Sequence, residues 1–118
     1  MRIILADDDA ASLDVLRRTL AAEGHDVAAF DNGLSAFDAF AAAPASVGLV
    51  IADIDMPGLD GISLAHRLLT ARPDLPLILM SAHDGELQRA VRDLGSDIGR
   101  ILKPFGLDAL RAMVRARV

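Results

Sequence analysis

Cysteine is missing altogether from this 118-residue chain, which removes disulfides, thiolate metal sites and thiol nucleophiles from consideration. Basic residues are in the minority: 12 Lys and Arg against 17 Asp and Glu leave a formal net charge of -5. The clustered cations that contacts to a nucleic-acid backbone require are therefore not expected, and a protein partner is. Long hydrophobic runs are also missing. Although 53% of the residues are hydrophobic, no stretch approaches the ~20 uninterrupted apolar residues of a membrane helix. The start, Met1-Arg2-Ile3-Ile4-Leu5 followed by three aspartates, has neither the apolar stretch nor the cleavage site of a secretory signal. A soluble protein of the cytoplasm without membrane contact is the expectation. The length suits one compact domain and no attached effector, so residues 1–118 are expected to form a single stand-alone domain.

What is present is an alternation. Short apolar runs rich in β-branched and aliphatic residues are followed by longer amphipathic stretches, the pattern of repeated βαβ units. It predicts strands over residues 2–6, 26–30, 47–52, 77–81 and 100–102. Helices are predicted over 10–23, 34–43, 62–72, 86–94 and 107–117, with Gly24 as the C-cap of the first. Helical crossovers between successive strands force parallel pairing, and Val47-Gly48-Leu49-Val50-Ile51 reads as a strand buried on both faces. The expected fold is doubly wound α/β, whose ligands bind outside the carboxyl ends of the strands.

The chemistry gathers at those ends. The first predicted strand runs into Asp7-Asp8-Asp9, the third into Asp53-Ile54-Asp55, the fourth ends on Ser81, and the fifth runs into Lys103-Pro104. Like charges at ~4 Å repel by about 1 kcal/mol even in water and by more inside a protein, so something positive must sit among these carboxylates. Oxygen ligands without His or Cys suit a hard cation, and Mg2+ takes a carboxylate or two together with waters and phosphate oxygens. Lys103 is the only lysine, against eleven arginines, which makes it hard to read as a solvated surface residue.

Four segments carry a resemblance: Ile4-Leu5-Ala6-Asp7-Asp8-Asp9, Asp53-Ile54-Asp55-Met56-Pro57-Gly58-Leu59-Asp60-Gly61, Ser81-Ala82 and Lys103-Pro104-Phe105. In this order, each at a predicted strand end, they resemble the receiver domain of two-component response regulators. The resemblance implies a flavodoxin-like parallel sheet of order 2-1-3-4-5 with helices on both faces. It implies that Asp53 is the phosphoacceptor, and that Asp7, Asp8, Asp53 and the backbone carbonyl of Asp55 hold Mg2+. Ser81 and Lys103 would read the phosphate, and the Lys103-Pro104 bond would be cis. The phosphoryl donor would be a sensor histidine kinase, a phosphotransfer protein or a small acyl phosphate, and the output a protein contact. The chain would be a switch with at most slow self-dephosphorylation, not an enzyme.

Some residues depart from that pattern. The family's switch aromatic lies three residues before the lysine, where this chain has Arg100, and there is no tyrosine. Arg100 could reach the phosphoryl group, pair with an acidic residue or face a partner. The stretch Gly95-Ser96-Asp97-Ile98-Gly99 is one residue longer than the common pattern. Asp55 and His83 stand two residues beyond Asp53 and Ser81, and are expected to face each other or to be solvated loop residues. The Asp31-Asn32-Gly33 segment and the atypical end are somewhat similar to CpdR-type receivers.

Other features read as structural. His25 and His66 have no second histidine at ligand spacing; Phe30, Phe37 and Phe40 are expected in the core. Gly33, Gly58 and Gly61 read as turn residues, Arg111, Arg115 and Arg117 as a solvated helix face, and Asp9 as exposed beside the metal pair. Two other functional classes fit parts of the pattern. A haloacid-dehalogenase-type phosphatase would use the Asp53-Ile54-Asp55 pair but leaves Asp7 and Asp8 unexplained. A pseudo-receiver that binds partners without phosphorylation would explain Arg100 but not the full set of acidic residues, Ser81 and Lys103.

Overall fold

The computed structural model describes residues 1–117, in which strands and helices alternate strictly. The strands are β1 (Arg2–Ala6), β2 (Asp26–Phe30), β3 (Leu49–Asp53), β4 (Leu77–Ser81) and β5 (Gly99–Leu102). The helices are α1 (Ala10–Ala22), α2 (Gly33–Ala42), α3 (Gly61–Ala71), α4 (Asp84–Leu94) and α5 (Leu107–Arg115). All strand pairs are parallel, in the order β2-β1-β3-β4-β5. The expected doubly wound sheet and its strand order are what the structure has.

Boundaries differ from the expected ones where local hydrogen bonding overrides periodicity. Residues 47 and 48 are not part of β3: Pro44–Ser46 forms a 3-10 turn, and the Gly48 N–H donates to the Arg2 carbonyl at 2.8 Å before the ladder begins. At its other end β3 runs one residue further than expected, taking in Asp53 itself. Helix starts are set by short polar side chains that satisfy otherwise unpaired N–H groups. Asp9 accepts from Ala11 N–H, Asn32 from Ser35 N–H and Asp60 from Ser63 N–H. The C-cap of α1 is Glu23, with Gly24 following it at φ +91° in the left-handed region.

Alternation along each strand splits the core into two layers. Ile4, Ala6, Val50, Ala52 and Leu79 pack with Phe40 of α2, Leu64 and Leu68 of α3 and Leu87 of α4. Ile3, Leu5, Leu49, Ile51, Ile78 and Met80 pack with Leu16 and Leu20 of α1 and Leu110 and Val114 of α5. Every residue of β3 and β4 is buried, each large apolar side chain contributing about 1.5–3 kcal/mol by leaving water. Of the three expected core phenylalanines only Phe40 is fully buried; Phe30 and Phe37 pack half-buried against the core's edge. The arginines of α5 are not all free in solvent, because Glu23, the C-cap of α1, accepts from Arg115 at 2.6 Å and lies 3.6 Å from Arg111. No helix among the described residues is long and apolar enough to cross a membrane.

Candidate functional site

Parallel pairing puts the carboxyl ends of all the strands along one edge. Ala6 of β1 pairs with Ala52 of β3, so Asp7 and Asp8 leave the sheet beside Asp53. Asp53 pairs with Met80, and Ser81 with Leu102, so Ser81 and Lys103 reach the same edge from the other side. The Lys103 N–H donates to the Ser81 carbonyl at 2.7 Å, and the Lys103-Pro104 bond is cis. From there the Lys103 ammonium spans the cluster, donating to Asp7 Oδ2 and Asp53 Oδ2, each at 2.9 Å.

Asp7 is fully buried and also accepts the Asp9 N–H at 3.0 Å, whereas Asp8 is exposed. Asp53 is 7% exposed, and its Oδ1 accepts the Asp55 N–H at 3.2 Å. Asp7, Asp8 and Asp53 can each turn one carboxylate oxygen to a common point, these atoms lying within 4.8 Å of one another. That donor set, oxygen only and partly open to solvent through Asp8, fits a hard divalent cation such as Mg2+. The electrostatics point the same way. Burial pushes the Asp53 carboxyl above its ordinary range; the Lys103 hydrogen bond and charge oppose this, and the Asp7 charge reinforces it. Burial works against the Lys103 charge too, but hydrogen bonds and attraction from Asp7 and Asp53 outweigh it and hold the ammonium above its usual pKa. One cation shared by two buried carboxylates is well stabilised itself and leaves the site short of positive charge.

The loop after β3 is held by backbone contacts. Gly58 makes its turn at φ +76°, as expected of a turn glycine. Gly61 does something else: it is the first residue of α3, its N–H donates to the Ile54 carbonyl at 2.9 Å, and a Cβ there would collide with the Asp53 carbonyl oxygen. Absence of a side chain lets the start of α3 press against the end of β3 and locate Asp53. Gly33 likewise opens α2, packed against Leu59, and is not a turn residue.

Ser81 is fully buried at the end of β4, but its hydroxyl bonds to Glu86 Oε1 at 2.7 Å, with no hydrogen bond to Asp53. Glu86 was not singled out from the sequence. The available signal was its position three residues after the N-cap His83, where an acid commonly bonds back to the start of a helix. Asp55 and His83 are both exposed and form no ion pair with each other among the described residues. Arg100 is exposed on β5 and has no ion pair among the described residues, so of its three expected roles the pairing with an acidic residue is not formed. His66 is exposed, and His25 lies at the edge, its Nδ1 3.1 Å from the Met1 ammonium. Asp9 is exposed, as expected, and serves as the N-cap of α1. A groove of about 440 Å3 adjoins Lys103, lined by Ser12, Val15 and Leu16 of α1 and by Ala82, Pro104, Phe105 and Leu107.

The family model of the response regulator receiver domain matches residues 3–115. The chain belongs to this family. Receiver domains are signalling modules of two-component systems. Among curated relatives, the response regulator MprA of Mycobacterium avium is 36% identical over 117 residues, 98% of this chain and 50% of that protein. MprA of Mycobacterium bovis (strain BCG / Pasteur 1173P2) is 35% identical over the same span. The chain thus spans about half the length of the curated relatives it matches. Among solved structures, a receiver domain protein from Clostridium thermocellum superimposes with a TM-score of 0.90 at 21% identity, covering 98% of this chain and 92% of that one. The response regulator TrrA of Thermotoga maritima, solved in complex with Mg2+-BeF, gives 0.87 at 26% identity, covering 99% and 98%.

Proposed function

We propose that this receiver domain accepts a phosphoryl group on Asp53 in a Mg2+-dependent reaction and passes the signal on by protein contact. The observation that carries this reading is the Lys103 ammonium 2.9 Å from both Asp7 and Asp53, inside a carboxylate cluster that fits a divalent cation. The donor is a histidine kinase or phosphotransfer protein, with small acyl phosphates as substitutes. An Asp53 oxygen attacks phosphorus in line as the bond to the donor breaks, so the work of the site is positioning and charge neutralisation. Asp7, Asp8, Asp53 and the Asp55 carbonyl would hold the Mg2+, which would supply positive charge to the phosphoryl oxygens. Lys103 swings part of its charge from Asp53 to the incoming group while keeping Asp7 as its anchor. Ser81 donates to a phosphoryl oxygen once the group is in place. The groove beside Lys103 offers a largely apolar surface to a donor protein. Hydrolysis of the aspartyl phosphate is slow, and neither nucleic acid nor membrane is a direct partner of this cytoplasmic domain.

Intact mass after incubation with acetyl phosphate and Mg2+ tests the reading. A single phosphoryl adduct, lost in Asp53→Ala and in EDTA, is expected. An adduct that persists in Asp53→Ala excludes Asp53 as acceptor. No adduct from acetyl phosphate or from any phosphohistidine donor, with no Mg2+ bound, favours a pseudo-receiver.

A further inference from the structure

Two acceptors compete for the single hydroxyl proton of Ser81: Glu86 Oε1 at 2.7 Å and the His83 carbonyl at 3.2 Å. The shorter, charge-assisted bond takes it. The same oxygen accepts the His83 N–H at 2.9 Å. His83 is the N-cap of α4 and its own side chain makes no capping bond. Glu86 occupies the third helical position, from which an acid ordinarily reaches the cap N–H directly. Here the Ser81 hydroxyl is inserted between the two. A relay from His83 N–H through Ser81 to Glu86 thereby fastens the first turn of α4 to the buried end of β4.

We propose that Glu86 is a positioning residue that holds the Ser81 hydroxyl away from Asp53 in the unphosphorylated domain, so that phosphorylation breaks the Ser81–Glu86 bond and releases the first turn of α4. The inference rests on the reading of Asp53 as phosphoacceptor. A hydroxyl has one proton to donate, so its bonds to Glu86 and to a phosphoryl oxygen exclude each other. The phosphoryl group, with a charge of about -1.5 to -2 and three acceptor oxygens, is the stronger competitor. When it draws Ser81 inward, Glu86 loses its donor and the His83 N–H its acceptor, both within the first turn of α4. With Arg100 exposed on β5 where a ring could have followed the serine, the movement is transmitted through α4 itself.

Beryllofluoride, which mimics a phosphoryl group on a carboxylate, serves as the probe, its affinity read by calorimetry in Mg2+. Removing a competing hydrogen bond should favour the mimic: Glu86→Ala is expected to bind it about fivefold more tightly than the unsubstituted domain. Glu86→Asp keeps the charge at the helix start but shortens the reach, and is expected to tighten binding similarly. Glu86→Gln, whose amide oxygen can accept the same bond, should stay within about twofold of the unsubstituted domain. In a Ser81→Ala background, Glu86→Ala should change nothing. Unchanged affinity in both Glu86→Ala and Glu86→Asp overturns the role of Glu86 alone. Equal tightening with and without Ser81 also overturns it, since Glu86 would then act on the anion by charge. If the unsubstituted domain binds no beryllofluoride, both this inference and the phosphoacceptor reading fall.

Discussion

Lys103 and Asp53 stand 50 residues apart in the chain and meet at 2.9 Å, and the same ammonium is 2.9 Å from the fully buried Asp7. Lys103→Met leaves Asp7 with no cation in the metal-free protein. Stranding one partner of a fully buried pair costs about 3–5 kcal/mol; because Lys103 is 22% exposed, a loss of about 2 kcal/mol is expected in a urea melt in EDTA. Mg2+ should restore more stability to this variant than to the unsubstituted protein, since it replaces the missing charge. Phosphoryl uptake should fall. A melt unchanged by the substitution would contradict the arrangement.

Stability at high pH should follow this one lysine. With no cysteine, no tyrosine and a single lysine, Lys103 is the side chain whose change of charge should govern stability from about pH 10 upward. Burial opposes its charge, but Asp7 and Asp53 hold its pKa above the ordinary value. A group whose pKa is raised on folding stabilises the fold fully below its unfolded pKa, about 10.4, and the contribution is lost as pH rises through the folded value. Metal-free stability is therefore expected to be level from pH 9 to about 10 and then to decline. Lys103→Met should lack that decline, which urea melts at each pH would show.

Gly61 and Gly85 both lie in the first turn of a helix and should respond oppositely to alanine. A Cβ at Gly61 meets the Asp53 carbonyl oxygen and the Ile54 backbone, whereas a Cβ at Gly85 meets nothing within 4 Å. Gly61→Ala is expected to cost about 2–3 kcal/mol by overpacking and to slow phosphoryl uptake by displacing Asp53. Gly85→Ala should stabilise by about 0.5–1 kcal/mol. Paired denaturation curves decide it.

Arg100 is exposed and unpaired among the described residues, so Arg100→Ala should leave stability within about 0.5 kcal/mol. Its rate of phosphorylation by acetyl phosphate should also be unchanged. A large fall in that rate would place the guanidinium at the phosphoryl group after all.

The amino-acid sequence by itself determined the architecture and the edge where the chemistry lies. Alternating apolar runs and amphipathic helices leave parallel pairing as the only short solution, and parallel pairing brings Asp7, Asp8, Asp53, Ser81 and Lys103 to one side whatever the details. Helix starts are local too, set by Asp9, Asn32 and Asp60 as short polar side chains next to the N–H groups they satisfy, although periodicity alone places the second and third one residue late. Tertiary structure alone decided what those groups do to one another. That one ammonium is shared by Asp7 and Asp53 depends on how far the chain after β5 leans across the sheet. That Gly61 is needed for contact with Asp53, not for a turn, depends on how closely α3 approaches β3. The partner of Ser81 depends on which of several acceptors the fold presents to a single proton, and the fold presents Glu86. Periodicity along a chain reports which face a residue occupies, but not the distances across that face on which hydrogen bonds and charge pairs depend.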